Sequence, residues 1–134
     1  IGWSPDGATM YLADSGTGRI DAFDFDASSG DITRRRTIVA IEEPGVAPDG
    51  LTVDEDGGIW VALWGGGAVR RYRPDGALLT AVPLPVDRPT SCAFGGHAIW
   101  WTVEAATEAE ALALLPFFVA ERASATRVCE VRIP

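Results

Sequence analysis

The sequence predicts an all-β fold, a partial β-propeller of about three blades with one short helix near the C-terminus. Short apolar segments rich in aromatic and β-branched residues alternate with Asp/Gly turns, as is typical of strands. The pattern also repeats along the chain. Shifted by 49 residues, residues 10–13 fall on residues 59–62, and Phe23 falls on Tyr72. A period of about 40 to 50 residues is typical of four-stranded propeller blades.

The repeats divide the chain into three successive segments of one incomplete propeller domain, residues 1–134. We interpret residues 1–46 and 47–88 as one blade each. A shift of 40 residues places Ile59 and Trp60 on Ile99 and Trp100, so residues 89–134 begin a third, divergent blade.

The strand candidates follow one another between turn residues. In chain order they are residues 10–13, 19–25, 34–41, 59–63, 69–73 and 77–82. The last two are joined by Arg-Pro-Asp-Gly, in which Pro74 presets one turn dihedral and Gly76 accepts a positive φ, so we predict a hairpin. The run Arg34-Arg35-Arg36 is interpreted as a solvated edge strand, with a basic ligand patch as the alternative.

The two ends of the chain differ from the repeats. Residues 103–115 are rich in Ala, Glu and Leu and predict a short helix that ends at Pro116. Residues 125–133 alternate again and are a candidate closing strand. The chain opens at Ile1 directly into a turn, so we expect it to be a fragment of a longer protein.

The composition limits the classes of partner that the chain is expected to bind. The chain has 134 residues, 47% hydrophobic, which suffices for one domain with a core. Its net charge of -8 disfavours nucleic acid, and its longest apolar run, residues 111–120, is too short to span a membrane. No signal peptide is visible. Cys92 and Cys129 lack the spacing of a metal-binding motif, so we interpret both cysteines as small buried residues. These features lead us to expect a cytoplasmic protein.

Residues 47–67 are the most informative stretch. Asp49 and Gly50 are predicted to form a turn just before an apolar strand, and the carboxylate of Asp49 is the one at a repeat position suited to chemistry. Pro-Asp-Gly is also common turn chemistry, so spacing alone leaves a structural turn residue as the alternative.

Other polar candidates have structural interpretations. The acidic residues 54–56 are predicted to lie in a solvated turn, and Asp21, Asp24 and Asp26 at the surface near a strand end. His97 lies in a Gly-Gly-His-Ala turn, and no serine nucleophile or second histidine supports a catalytic triad.

The tryptophans and the glycine run divide between core and rim. Trp60 and Trp100 are predicted to be blade core. Trp64 lies past a strand end, where loops at the channel mouth are expected, and is a candidate substrate contact. Residues 65–67, Gly-Gly-Gly, lack the Lys-Ser/Thr of a phosphate loop and are predicted to be a hairpin turn.

An ordered set of motifs resembles the C-terminal half of the gluconolactonase / senescence-marker-protein (regucalcin-like) family. The motifs cover residues 1–102 and read Trp-Ser-Pro-Asp-Gly (3–7), Tyr-Leu-Ala-Asp-Ser (11–15), Ile-Asp-Ala-Phe-Asp-Phe-Asp (20–26), Pro-Asp-Gly-Leu (48–51), Trp-Val-Ala (60–62), Leu-Pro-Val (84–86) and Pro-Thr-Ser-Cys-Ala-Phe-Gly-Gly (89–96). The resemblance implies a six-bladed β-propeller with one divalent metal ion at the top of its central channel.

The resemblance also implies an activity. Family members hydrolyse sugar-type lactones, and the metal is held by a Glu, an Asn and the Asp of Pro-Asp-Gly, which maps onto Asp49. The Asn would lie just upstream of Ile1 and the Glu far upstream. Asp49 would then be both metal ligand and catalytic base for a metal-activated water. Oxygen ligands suit calcium, magnesium or manganese, and mixed oxygen sites also take zinc.

The resulting hypothesis is that the chain is a fragment of a metal-dependent lactonase, whose partner is a small-molecule lactone substrate. We expect the isolated chain to be inactive, because it lacks most of the implied metal ligands. The alternative is a non-catalytic β-propeller binding module of the NHL type.

Overall fold

The computed structural model describes residues 1–95, 98–103, 107 and 109, and its strands, between residues 2 and 103, form antiparallel β-sheets. The strands are β1 (Gly2–Trp3), β2 (Thr9–Asp14), β3 (Arg19–Asp26), β4 (Asp31–Ala40), β5 (Ala47–Val53), β6 (Ile59–Trp64), β7 (Ala68–Tyr72), β8 (Leu78–Pro83), β9 (Pro89–Gly95) and β10 (Ala98–Val103). Strands β1 to β4 form one sheet and β5 to β8 a second, each in chain order, and β9 pairs with β10. The all-β prediction is confirmed here, while the number of blades stays a prediction.

Short turns set the boundaries of these strands. The predicted hairpin is formed by β7 and β8, where the amide of Gly76 donates to the carbonyl of Arg73 at 2.9 Å and Gly76 adopts a φ of 88°. A Cβ at this position would lie 1.9 Å from the carbonyl oxygen of Ile38, in β4 of the first sheet. Glycine is therefore required both by the turn and by the close contact between the two sheets.

Strand β6 contributes its two faces to two hydrophobic cores. Ile59, Val61 and Leu63 are fully buried in the core between the first and second sheets. The alternate residue Ala62 is buried with Cys92 in a second core, against which Trp60 also packs. Burial of a large aliphatic side chain stabilises a fold by about 1.5–3 kcal/mol. The two-residue alternation of this strand thus holds three successive sheets together, as the core interpretation of Trp60 and Cys92 predicts.

The surface prediction for Asp21 is wrong. Its side chain is 0% exposed, and Arg35 donates to Oδ2 from Nε at 3.0 Å and from Nη2 at 2.6 Å. The hydroxyl of Thr37 donates to Oδ1 at 2.7 Å. Burial by itself raises the pKa of Asp21, but the bonds from Thr37 and Arg35 outweigh it, so the pKa lies below its ordinary value. Asp26 is exposed, as expected.

The prediction of a wholly solvated turn is wrong for Asp54. Its side chain is only 15% exposed, and Oδ2 accepts from Trp60 Nε1 and Arg71 Nε, both at 2.7 Å. Oδ1 accepts from the amides of Gly58 at 2.7 Å and Asp56 at 3.1 Å. Burial raises the pKa of Asp54, whereas the bonds from Arg71, Trp60 and Gly58 lower it below its ordinary value. Asp54 therefore ties the turn between β5 and β6 to Trp60 in β6 and Arg71 in β7.

The arginine run lies on an edge strand, as predicted. Strand β4 is the outermost strand of the first sheet, and Arg34, Arg35 and Arg36 are exposed. Arg36 pairs with Asp24 at 2.7 Å, so this edge is charged rather than apolar. Charged edge strands resist pairing with other chains.

Several predictions concern the C-terminal part of the chain. Val103 closes β10, so it does not begin the predicted helix of residues 103–115. The remainder of that predicted helix lies outside the described residues, apart from residues 107 and 109. The same is true of the candidate closing strand, of His97 and of Cys129. In the part of the chain described here, no helix is long and apolar enough to cross a membrane.

Candidate active site at Asp49

Asp49 lies within a strand, so the prediction of a turn before the strand is wrong. Strand β5 begins at Ala47, and its pairing with β6 shifts register: Pro48 pairs with Leu63 and Leu51 with Val61. Two residues of β5, Asp49 and its neighbour, therefore face one residue of β6, which defines a β-bulge. Such bulges re-aim a side chain and are common beside active sites.

The bulge determines what Asp49 faces. It resets the alternation of the strand, so that Pro48 and Leu51, three positions apart, are both buried. Asp49 between them is half-buried, and its carboxylate makes no hydrogen bond or ion pair with any residue in the range 1–94. Partial burial of a charge without a partner costs free energy. A bound cation or hydrogen-bond donor would offset that cost, so the carboxylate of Asp49 is available to an external ligand.

Both neighbouring sheets contact the bulge. The hydroxyl of Ser15, which follows β2, donates to the carbonyl oxygen of Pro48 at 2.7 Å. On the other side, Cys92 in β9 points its sulfur at the carbonyl oxygen of Gly50 at 3.9 Å. Burial raises the pKa of the Cys92 thiol to about 11, so at neutral pH it keeps its proton and acts as a weak donor.

Gly50 is required by the approach of β9. A Cβ added there would lie 2.4 Å from Ser91 Oγ and 2.7 Å from Ser91 Cα. No side chain larger than hydrogen fits without a shift of the backbone, so the Asp-Gly sequence here reflects close packing of two strands rather than a turn.

Trp64 lies at the same end of β5 as Asp49. It is the last residue of β6, pairs with Ala47 and is 38% exposed. The guanidinium carbon of Arg88 lies 4.9 Å from the centre of a Trp64 ring, which is a cation–π contact. The amide of Gly67 donates to the carbonyl of Asp87 at 3.2 Å, which joins the turn after β6 to the segment before β9. We call Trp64 and Arg88 the rim pair.

The described residues supply one candidate metal ligand at this site. Among them, no group of three or more His, Cys, Asp or Glu side chains is placed to hold a metal ion. The unpartnered carboxylate of Asp49 fits the oxygen preference of a hard divalent cation, and the other ligands would have to come from elsewhere. The structure brings Asp49 and Trp64 to one end of the second sheet, with no hydrogen bond between their side chains.

Sequence reasoning missed Ser15 and Arg88. A signal for Ser15 existed, because the shift of 49 residues that aligns the repeats places Ser15 on Trp64. Both residues therefore belong at the same end of their sheets. Arg88 has no such signal, since its contact with Trp64 depends on how the segment before β9 folds back.

The chain matches a known protein family over most of its length. Residues 1–100 match the SMP-30/gluconolactonase/LRE-like region. Regucalcin from Oryctolagus cuniculus is 44% identical over 97 residues, which are 72% of this chain and 32% of that protein. The chain thus spans about a third of the length of the curated relatives it matches.

Solved structures show the same likeness. The structure of a calcium-binding protein, regucalcin, from Agrobacterium tumefaciens is 35% identical with a TM-score of 0.66, and the match covers 72% of this chain and 33% of that one. A gluconolactonase from Xanthomonas campestris is 30% identical with a TM-score of 0.64, covering 75% of this chain and 33% of that one.

Proposed function

We propose a lactonase function for the full-length protein that carries this chain, because the chain belongs to the SMP-30/gluconolactonase/LRE-like family. The reaction is the hydrolysis of sugar-type lactones, with a divalent metal ion as cofactor. The observation that carries the proposal is the carboxylate of Asp49, half-buried at a bulge and unpartnered among the described residues. The relatives include a gluconolactonase and a regucalcin described as calcium-binding, which supports both the reaction and the metal.

Asp49 has two roles in this proposal. One carboxylate oxygen contributes to binding the metal, and calcium, magnesium, manganese and zinc all remain candidates. The metal, when bound, supplies a Lewis acid for the lactone carbonyl and a water of lowered pKa. The carboxylate of Asp49 would accept the proton that the attacking water loses when its oxygen adds to the carbonyl carbon. The ring oxygen then leaves and takes up a proton, which gives the open hydroxy acid.

The rim pair is proposed to contact the lactone. Arg88 lies over the Trp64 ring and the residue remains 38% exposed, so the proposal has a sugar ring pack against the exposed part of Trp64. Aromatic rings with one apolar face and nearby polar groups are common in small-molecule sites. Trp64 thereby keeps the role of substrate contact proposed from the sequence.

The test uses the full-length protein with D-glucono-δ-lactone as substrate and acid release as the readout. We expect a chelator to abolish hydrolysis and added calcium or manganese to restore it. An Asp49→Asn variant keeps the size of the side chain but removes the charge, so we expect a loss in kcat/KM of about 100-fold or more. Asp56→Asn is the matched control, because Asp56 is 83% exposed in a turn at the other end of β5, and we expect wild-type rates from it.

Two results together contradict the proposal. These are hydrolysis that is insensitive to chelator and an Asp49→Asn variant as active as Asp56→Asn. A fully active protein of that kind would use neither the metal nor this carboxylate.

A further inference from the structure

The bulge that carries Asp49 is held from both sides by other sheets. Ser15 of the first sheet donates to the carbonyl oxygen of Pro48 at 2.7 Å, 33 residues away in sequence. On the opposite side, β9 approaches so closely that a Cβ at Gly50 would lie 2.4 Å from Ser91 Oγ. The residues before and after Asp49 are thus each in contact with a different neighbouring sheet.

These contacts matter because a bulge interrupts the regular ladder. Pro48 and Leu51 pair with β6, but Asp49 and Gly50 have no individual partners there. Backbone groups at a bulge need partners outside the ladder, and those partners determine the local conformation. The carbonyl of Pro48 belongs to the peptide group whose nitrogen is that of Asp49. A bond to this carbonyl therefore fixes the orientation of the peptide plane that leads into Asp49.

We propose that Ser15 is a positioning residue for Asp49. It acts through its hydrogen bond to the carbonyl of Pro48, while Ser91, packed against Gly50, limits movement of the bulge on the opposite side. This inference rests on the proposed metal-binding role of Asp49. Ser15 touches neither metal nor substrate in this proposal. Ligating groups must be held to within about 0.5 Å of their productive positions, and loss of an outer hydrogen bond of this kind typically weakens metal binding about 10–100-fold.

The test compares three variants of the full-length protein. Ser15→Ala removes the hydroxyl, Ser15→Thr keeps it, and Ser28→Ala removes a serine hydroxyl that bonds only within the exposed turn at Asp26. Affinity for calcium and manganese is measured by titration calorimetry, and kcat and KM with D-glucono-δ-lactone. We expect Ser15→Ala to weaken metal binding about tenfold and to lower kcat more than it changes KM. Ser15→Thr and Ser28→Ala are expected to match the wild type.

A readout on the metal-free protein separates positioning from activity. Hydrogen exchange of the Asp49 and Gly50 amides is expected to be about tenfold faster in Ser15→Ala, because the bulge loses one of its two anchors. Unchanged exchange together with unchanged metal affinity overturns the inference. So does a lower thermal midpoint with unchanged affinity, since that is a structural role alone.

The failure of this inference is distinguishable from failure of the proposed function. If Asp49→Asn abolishes metal binding while Ser15→Ala leaves it intact, the metal role of Asp49 stands and the positioning role of Ser15 is wrong. If Asp49→Asn binds metal as the wild type does, both the proposed ligand and the inference built on it are wrong.

Discussion

Replacing Asp54 by Asn should destabilise the protein strongly, although the residue lies in a turn. The carboxylate accepts four hydrogen bonds, and its two oxygens divide them. Oδ1 accepts from two backbone amides, and Oδ2 accepts from Trp60 Nε1 and Arg71 Nε at 2.7 Å each. An Asn can keep its carbonyl toward the amides, but its NH₂ group then faces two other donors.

The expected magnitude follows from those two lost bonds. A hydrogen bond to a charged partner contributes about 1.5–3 kcal/mol, and a buried donor left without a partner costs about 1–3 kcal/mol. Arg71 is 24% exposed and recovers part of its loss by hydration. We therefore expect Asp54→Asn to lower the free energy of unfolding by about 2–4 kcal/mol.

Urea denaturation followed by tryptophan fluorescence measures this change. The control is Asp56→Asn, because Asp56 lies in the same turn, is 83% exposed and approaches Arg71 only to 3.6 Å. Exposed ion pairs contribute about 0–1 kcal/mol, so the control should differ little from the wild type. Equal losses of stability in the two variants would contradict this prediction, since they would mean that the hydrogen bonds around Asp54 contribute nothing beyond its charge.

Two further predictions concern close contacts and acid stability. Gly76→Ala places a methyl group 1.9 Å from the carbonyl oxygen of Ile38 at a φ of 88° and should cost about 2–4 kcal/mol, whereas Gly7→Ala, at a φ of 70° with nothing within 4 Å, should cost about 1 kcal/mol in the same urea assay; similar costs would show that the inter-sheet contact is unimportant. The pKa of Asp21 is lower in the folded protein than its ordinary value of 3.8, so its stabilisation is present above that pH and is lost as the pH falls further. The difference in unfolding free energy between the wild type and Asp21→Asn should therefore become smaller as the pH is lowered from 5 to 2.5. A difference that stays constant over this range would contradict a lowered pKa for Asp21.

Much of the strand pattern could be predicted because it depends on local chemistry. The hairpin at Gly76 needs only a residue that accepts a positive φ between two apolar runs, and its position was correct. The 49-residue repeat likewise located β2 and β6, since each strand is an apolar run bounded by turn residues. The geometry of the candidate site was harder to predict from the sequence. The resemblance singled out Asp49, but its place in a bulge of β5 could not be read from Pro-Asp-Gly, which is equally typical of a turn.

The all-β fold, the order of the hairpins and the family to which the chain belongs could all be read from the amino-acid order. Which carboxylates are bonded within the fold, and which has no protein partner among the described residues, depends on long-range packing. Asp21 and Asp54 look like Asp49 in sequence, yet arginines 14 and 17 residues away satisfy the first two, and no described side chain reaches the third. The physical reason is that a turn or a strand is set by neighbours along the chain, whereas the environment of a charge is set by groups that only folding brings near it.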